Sequence, residues 1–86
     1  MPEIARFYGI IIYLYVKDHN PPHIHAEYGD YEALFEIKTM KRYSGKLPAR
    51  AEKLVKDWIE LHQVELLEDW NNANTGKPIF KITPLK

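Results

Sequence analysis

The sequence predicts an α+β fold, a small antiparallel β-sheet of about three or four strands packed against one long helix or two consecutive helices. Three observations carry this expectation. Residues 7–16 are a nearly unbroken run of apolar and aromatic side chains, the types that favour strands. Residues 23–28 and 31–38 alternate in polarity about Gly29-Asp30, which reads as a hairpin. From Pro48 to Asn74 the apolar residues instead recur every three or four positions, which is helical spacing. At 86 residues, the chain is expected to be a single domain spanning 1–86 with room for one core.

The first strand, residues 7–16, is apolar on both alternating faces, so it is expected to be central and covered on both sides. A loop follows from His19 to Pro22. Pro21 and Pro22 cannot donate backbone hydrogen bonds, and Asn20 is pushed toward an extended conformation. Asp18 reads as a turn residue. Gly29-Asp30, with glycine first, suits a type II′ turn and fixes the hairpin register. Tyr28 then opposes Tyr31, Glu27 opposes Glu32, Ala26 opposes Ala33, His25 opposes Leu34, Ile24 opposes Phe35 and His23 opposes Glu36. Ile24, Ala26, Tyr28, Tyr31, Ala33, Phe35 and Ile37 share the face expected to be core. His23, His25, Glu27, Glu32, Leu34 and Glu36 share the other.

Residues 39–47 are expected to form a basic connection. Pro48 suits the first position of a helix. Ala51, Leu54, Val55, Trp58, Ile59, His62, Leu66, Trp70 and Ala73 then fall on one stripe, where both tryptophans and His62 are expected to serve packing. One helix over 48–74 would be about 40 Å long, long for this domain. A break near His62 would divide it, because Gln63 and Glu65 suit the first turn of a second helix. Gly76 ends the helical region, and residues 78–83, fenced by Pro78 and Pro84, are expected as an edge strand.

Composition removes several function classes. The absence of cysteine excludes disulfides, thiolate metal sites and cysteine nucleophiles. The run Ile10 to Val16 is too short to cross a bilayer and lacks the flanks of a signal peptide, so a cytoplasmic protein with no membrane partner is expected. Twelve basic and twelve acidic side chains cancel, which argues against a dedicated nucleic-acid coat. The charge is nonetheless polarised. Lys38, Lys41, Arg42, Lys46, Arg50, Lys53 and Lys56 are followed by Asp57, Glu60, Glu65, Glu68 and Asp69. Basic residues at the helix start oppose its dipole, and i,i+4 pairs such as Lys53–Asp57 and Lys56–Glu60 would offset this.

The chemistry-bearing residues concentrate in Asp18-His19-Asn20-Pro21-Pro22-His23-Ile24-His25-Ala26-Glu27. Strand alternation places His23, His25 and Glu27 on one face, with His19 able to fold over from the loop. Imidazole titrates near neutral pH, so His19, His23, His25 and Glu27 are the candidate catalytic set. Imidazoles with a carboxylate also suit a divalent metal, with His23, His25 and Glu27 as ligands. Glu27 opposite Glu32 is a like-charge pair that needs a cation or a proton nearby. The plain alternative is a solvated sheet face, with His23–Glu36 an ordinary ion pair. Lys41, Arg42, Lys46 and Arg50, with Tyr43 to stack, are the candidate nucleic-acid contacts.

The start Pro2 to Ile10, the His19-Asn20-Pro21-Pro22-His23-Ile24-His25-Ala26 motif, Gly45-Lys46-Leu47-Pro48 and the Trp58, His62, Leu66, Trp70 helix resemble the domain of unknown function 4160 family over essentially the whole chain. The resemblance implies a stand-alone bacterial protein. It also implies a neighbouring small protein of the domain of unknown function 2442 type, in pairs that look like toxin–antitoxin modules. It implies no reaction. Three functions are therefore expected as rivals. One is a toxin-like component acting on RNA by histidine acid–base chemistry, one a non-enzymatic module that binds a cognate protein, and one a small metalloprotein. An open sheet edge also suits a homodimer.

Overall fold

A computed structural model of the chain describes residues 3–15 and 21–86. Five strands form one antiparallel meander, each paired with its sequence neighbour: β1 (Glu3–Phe7), β2 (Ile10–Tyr13), β3 (His23–Tyr28), β4 (Tyr31–Glu36) and β5 (Arg42–Lys46). Two helices follow, α1 (Ala49–Leu61) and α2 (Gln63–Asn74). The α+β class holds, with more strands than the sequence predicts.

The extra strands come from two places. The run read as one central strand over 7–16 is folded in two, because Tyr8 and Gly9 both adopt left-handed backbone angles and close a hairpin between β1 and β2. Such paired positive φ values define the tight turn whose twist matches antiparallel strands. The expected basic connection over 39–47 contains β5, whose five residues are all exposed. Conversely, residues 78–83 form no strand. The terminal segment instead lies along β1, where the Ile82 N–H donates to the Ile4 carbonyl at 2.9 Å. Two flanking prolines and this isolated bond are too little for a ladder.

The β3–β4 register matches all six expected pairs. Ala5, Phe7, Ile10, Ile12, Ile24, Ala26, Ala33 and Phe35 are buried, and α1 packs with them through Val55, Trp58 and Ile59. The Trp58 ring lies 5.5 Å from Phe7, and its indole N–H donates to the Thr83 carbonyl at 2.8 Å. Tyr28 and Tyr31, expected in the core, stand at the surface beside the turn that joins their strands.

His62 breaks the helix. It caps the end of α1 and precedes α2, and its Nδ1–H donates to Glu65 at 2.7 Å. The Gln63 side chain then donates to the Ile37 and Lys38 carbonyls at 3.0 and 3.2 Å, tying the break to the end of β4. Lys53 pairs with Asp57 as expected, but Lys56 turns back to Glu52 at 3.2 Å rather than forward to Glu60. Glu52 already holds Arg42 at 2.9 Å, so the first turn of α1 has an acid that draws both cations toward it.

Candidate functional site

The polar sheet face is set by the register. Glu3 opposes Tyr13, and Arg6 opposes Ile11. Ile11 opposes Glu27, and Tyr13 opposes His25. Across β4 and β5, Glu27, Glu32 and Lys46 make one row and His25, Leu34 and Ser44 the next. His23 and Glu36 lie at one end. Directly opposed residues project to the same side of a pleated sheet.

His23 and His25 therefore share a face, with ring centroids 5.1 Å apart, but their environments differ. His23 is 1% exposed. Its ring lies 5.2 Å from Trp70 and 5.7 Å from Tyr43, and its Nδ1–H donates to the Pro21 carbonyl at 2.7 Å. A carbonyl accepts only, so this bond fixes a proton on Nδ1. His23 is thus packed into the fold and ties down Pro21. His25 is half-buried, with Tyr15 edge-on at 4.2 Å and Nδ1 3.8 Å from Glu32. It opens onto a shallow cleft of about 170 Å³ with Glu32, Leu34, Ser44 and Gly45.

The Glu27–Glu32 pair is present in register. Lys46 opposes Glu32 from the next strand, and the His25 ring approaches Glu32 diagonally. Glu36 does not pair with His23; it accepts a hydrogen bond from the Thr39 hydroxyl at 2.6 Å. At the face's edge, two hydrogen bonds from the Arg6 guanidinium hold the Glu3 carboxyl below its ordinary value.

The other expected site residues are dispersed. His19 and Asp18 lie outside the described residues. Arg42 donates to Glu52 and to the Gly45 carbonyl. Lys46 stands on the polar face, Lys41 lies just before β5, and Arg50 lines a separate cleft with Tyr8 and Tyr28. Among the described residues, no group of three His, Asp or Glu side chains is placed to hold a metal ion. Among them too, no helix is long and apolar enough to cross a membrane.

One buried acid escaped the sequence reading as anything but a helix-face charge. Asp69 is 2% exposed, and its Oδ1 accepts the Phe80 N–H at 3.0 Å, while Oδ2 has no hydrogen-bond partner among the described residues. Burial raises its pKa. The Phe80 N–H opposes the rise, and Glu68 and Glu65 add to it. The signal was present, because Asp69 follows Leu66 by three and precedes Ala73 by four, on the buried stripe.

The fold and face together define a small meander-sheet protein, with α1 packed on the apolar face and Trp70 of α2 covering His23 at one end of the other, which presents aromatic, histidine and carboxylate side chains. The chain belongs to the family described as domain of unknown function (DUF4160), whose model matches residues 9–71. No curated protein and no solved structure matches it.

Proposed function

We propose that this chain is a non-enzymatic binding module, one half of a bacterial two-protein pair, that docks a small cognate protein on its polar sheet face. One observation carries the reading. Half-buried Ile11, Tyr13 and Leu34 are the apolar residues of that face, Tyr13 and Leu34 on either side of His25, with Arg6, Glu27, Glu32 and Lys46 in the row beside them. Apolar and tyrosine side chains flanked by charge are the anatomy of a protein interface. With Glu3 and Glu36 included, the face carries four carboxylates against two cations, so the partner surface it favours is basic.

The same charges weigh against RNA chemistry here. Four carboxylates oppose a polyanion, and a two-histidine acid–base mechanism needs both rings at the substrate, whereas His23 is sealed. Strand addition and edge-paired dimers also find little support. The Ile82 N–H occupies the Ile4 carbonyl on β1, and β5 carries Arg42, Lys46 and a shifted register, devices that discourage edge pairing.

A specific observation keeps a second reading, proton transfer by His25, since it opens to the cleft beside Glu32. Co-expression with the proposed cognate protein separates the two. Docking predicts that the pair co-purifies and that the conservative His25→Gln, which fills the same place on the face without an imidazole's acid–base chemistry, leaves it intact. Growth arrest on expression of this chain alone, abolished by His25→Gln, would replace docking with the catalytic reading.

A further inference from the structure

We propose that a second site, at the far end of β3 from His23, binds a nucleotide, with its base against Tyr8 and Tyr28 and its phosphate on Arg50. A cleft of about 280 Å³ lies there between the two hairpin turns and the start of α1, lined by Tyr8, Ile10, Tyr28, Pro48, Arg50 and Leu54 among others. That is close to the lower end of small-molecule pockets, roughly 300 Å³. The lining contains no carboxylate.

Three features make this a site rather than a surface hollow. Arg6 is bonded to Glu3 and Arg42 to Glu52, but Arg50 makes no hydrogen bond or ion pair among the described residues. Its guanidinium stands ready for an anion beside two exposed rings. Tyr8 is 55% exposed at φ 50°, where a tight turn favours Asn or Gly. A tyrosine in that conformation breaks a local rule with no burial in return, and such breaks concentrate at binding sites. Tyr28 is fixed but not covered. Its ring packs against Gly9, where a Cβ would stand in van der Waals contact at 3.4 Å, yet 38% of the residue stays exposed.

The ligand class follows from the pairing. Tyrosine rings stack on any base, and a guanidinium binds phosphate. Inorganic phosphate would use only Arg50, and an uncharged nucleoside only the rings. The polar face, with its four carboxylates, repels such a ligand, so the two surfaces sort their partners by charge. This inference does not depend on the docking reading.

The test titrates the full chain with adenosine 5′-monophosphate, adenosine, inorganic phosphate and a short adenosine RNA, followed by calorimetry and proton NMR. The monophosphate should shift the Tyr8 and Tyr28 ring signals and bind about tenfold tighter than phosphate or adenosine, within the range one stacked base contributes. Arg50→Gln and Tyr8→Asn should each weaken it about tenfold. Asn suits the left-handed turn, so Tyr8→Asn should melt no lower than the parent, which separates lost binding from lost folding. An RNA that binds tighter than the monophosphate with the same Arg50 dependence identifies a strand as the source. One that binds no tighter identifies the free nucleotide. Binding no tighter than phosphate, or unchanged in both variants, overturns the proposal.

Discussion

The His23 ring lies 5.2 Å from the indole of Trp70, so one of the four candidate catalytic residues is part of the contact between β3 and α2. Its fixed Nδ1–H to the Pro21 carbonyl extends that contact to the residues just before β3. A chain of rings continues outward through His25 and Tyr15 to Tyr13, linking the core to the polar face.

His23→Ala is therefore expected to act as a core truncation. It removes a buried ring and a buried hydrogen bond, a loss of about 2–4 kcal/mol by analogy with other large-to-small core changes. His25→Ala should cost less, because that side chain is 16% exposed rather than sealed. Urea denaturation of the two variants checks this. Equal midpoints would contradict the assigned division of roles.

Asp69 gives a pH-dependent expectation. A raised folded value means that the native state holds the proton more tightly than the unfolded chain does. Its contribution is most favourable below the ordinary carboxylate range and is lost as pH rises through the raised folded value. Asp69→Asn keeps an oxygen for the Phe80 N–H and removes the charge, so at neutral pH it should be at least as stable as the parent, with a shallower decline between acidic and neutral pH. Asp69→Ala leaves that N–H unpaired and should cost about 1–3 kcal/mol. Denaturation midpoints across the acidic-to-neutral range provide the check.

Gly45 marks where β5 passes closest to β4. At φ 77° it is in the left-handed region, and a Cβ would collide with the Glu32 carbonyl and stand 2.8 Å from the Ala33 Cα. Backbone cannot move aside as a side chain can, so Gly45→Ala should cost about 1–3 kcal/mol and loosen β5 first. Amide exchange should quicken at β5 before it quickens at β2 or β3. A uniform change across the sheet would contradict this.

Local chemistry made part of this fold legible. Gly29-Asp30 and alternating polarity fixed the β3–β4 register, and the apolar stripe with Gln63 and Glu65 placed the break at His62. Tyr8-Gly9 hid inside an apolar run because a tyrosine with positive φ defies turn propensity. β5 hid because Arg42 to Lys46 lacks strand-like patterning and exists through pairing with β4. Alternation correctly joined His23 and His25 on one face. It carried no information on Trp70, which arrives from 47 residues away to seal one of them. Spacing carried no information on the candidate nucleic-acid contacts either, since Arg42 and Arg50 are eight residues apart, yet Arg42 bonds Glu52 while Arg50 lines the cleft with Tyr8 and Tyr28.

The docking account is tested most directly by calorimetric titration of the proposed partner, a small protein of the domain of unknown function 2442 type, into this chain and into Glu27→Lys. The substitution turns a like-charge cross-strand pair with Glu32 into an opposite-charge pair, so the fold should be no less stable. It also makes the face less acidic. The account predicts saturable binding that weakens with salt, and about tenfold weaker binding in Glu27→Lys despite an unchanged or higher melting temperature. No binding by the parent, or equal binding by both, would contradict it.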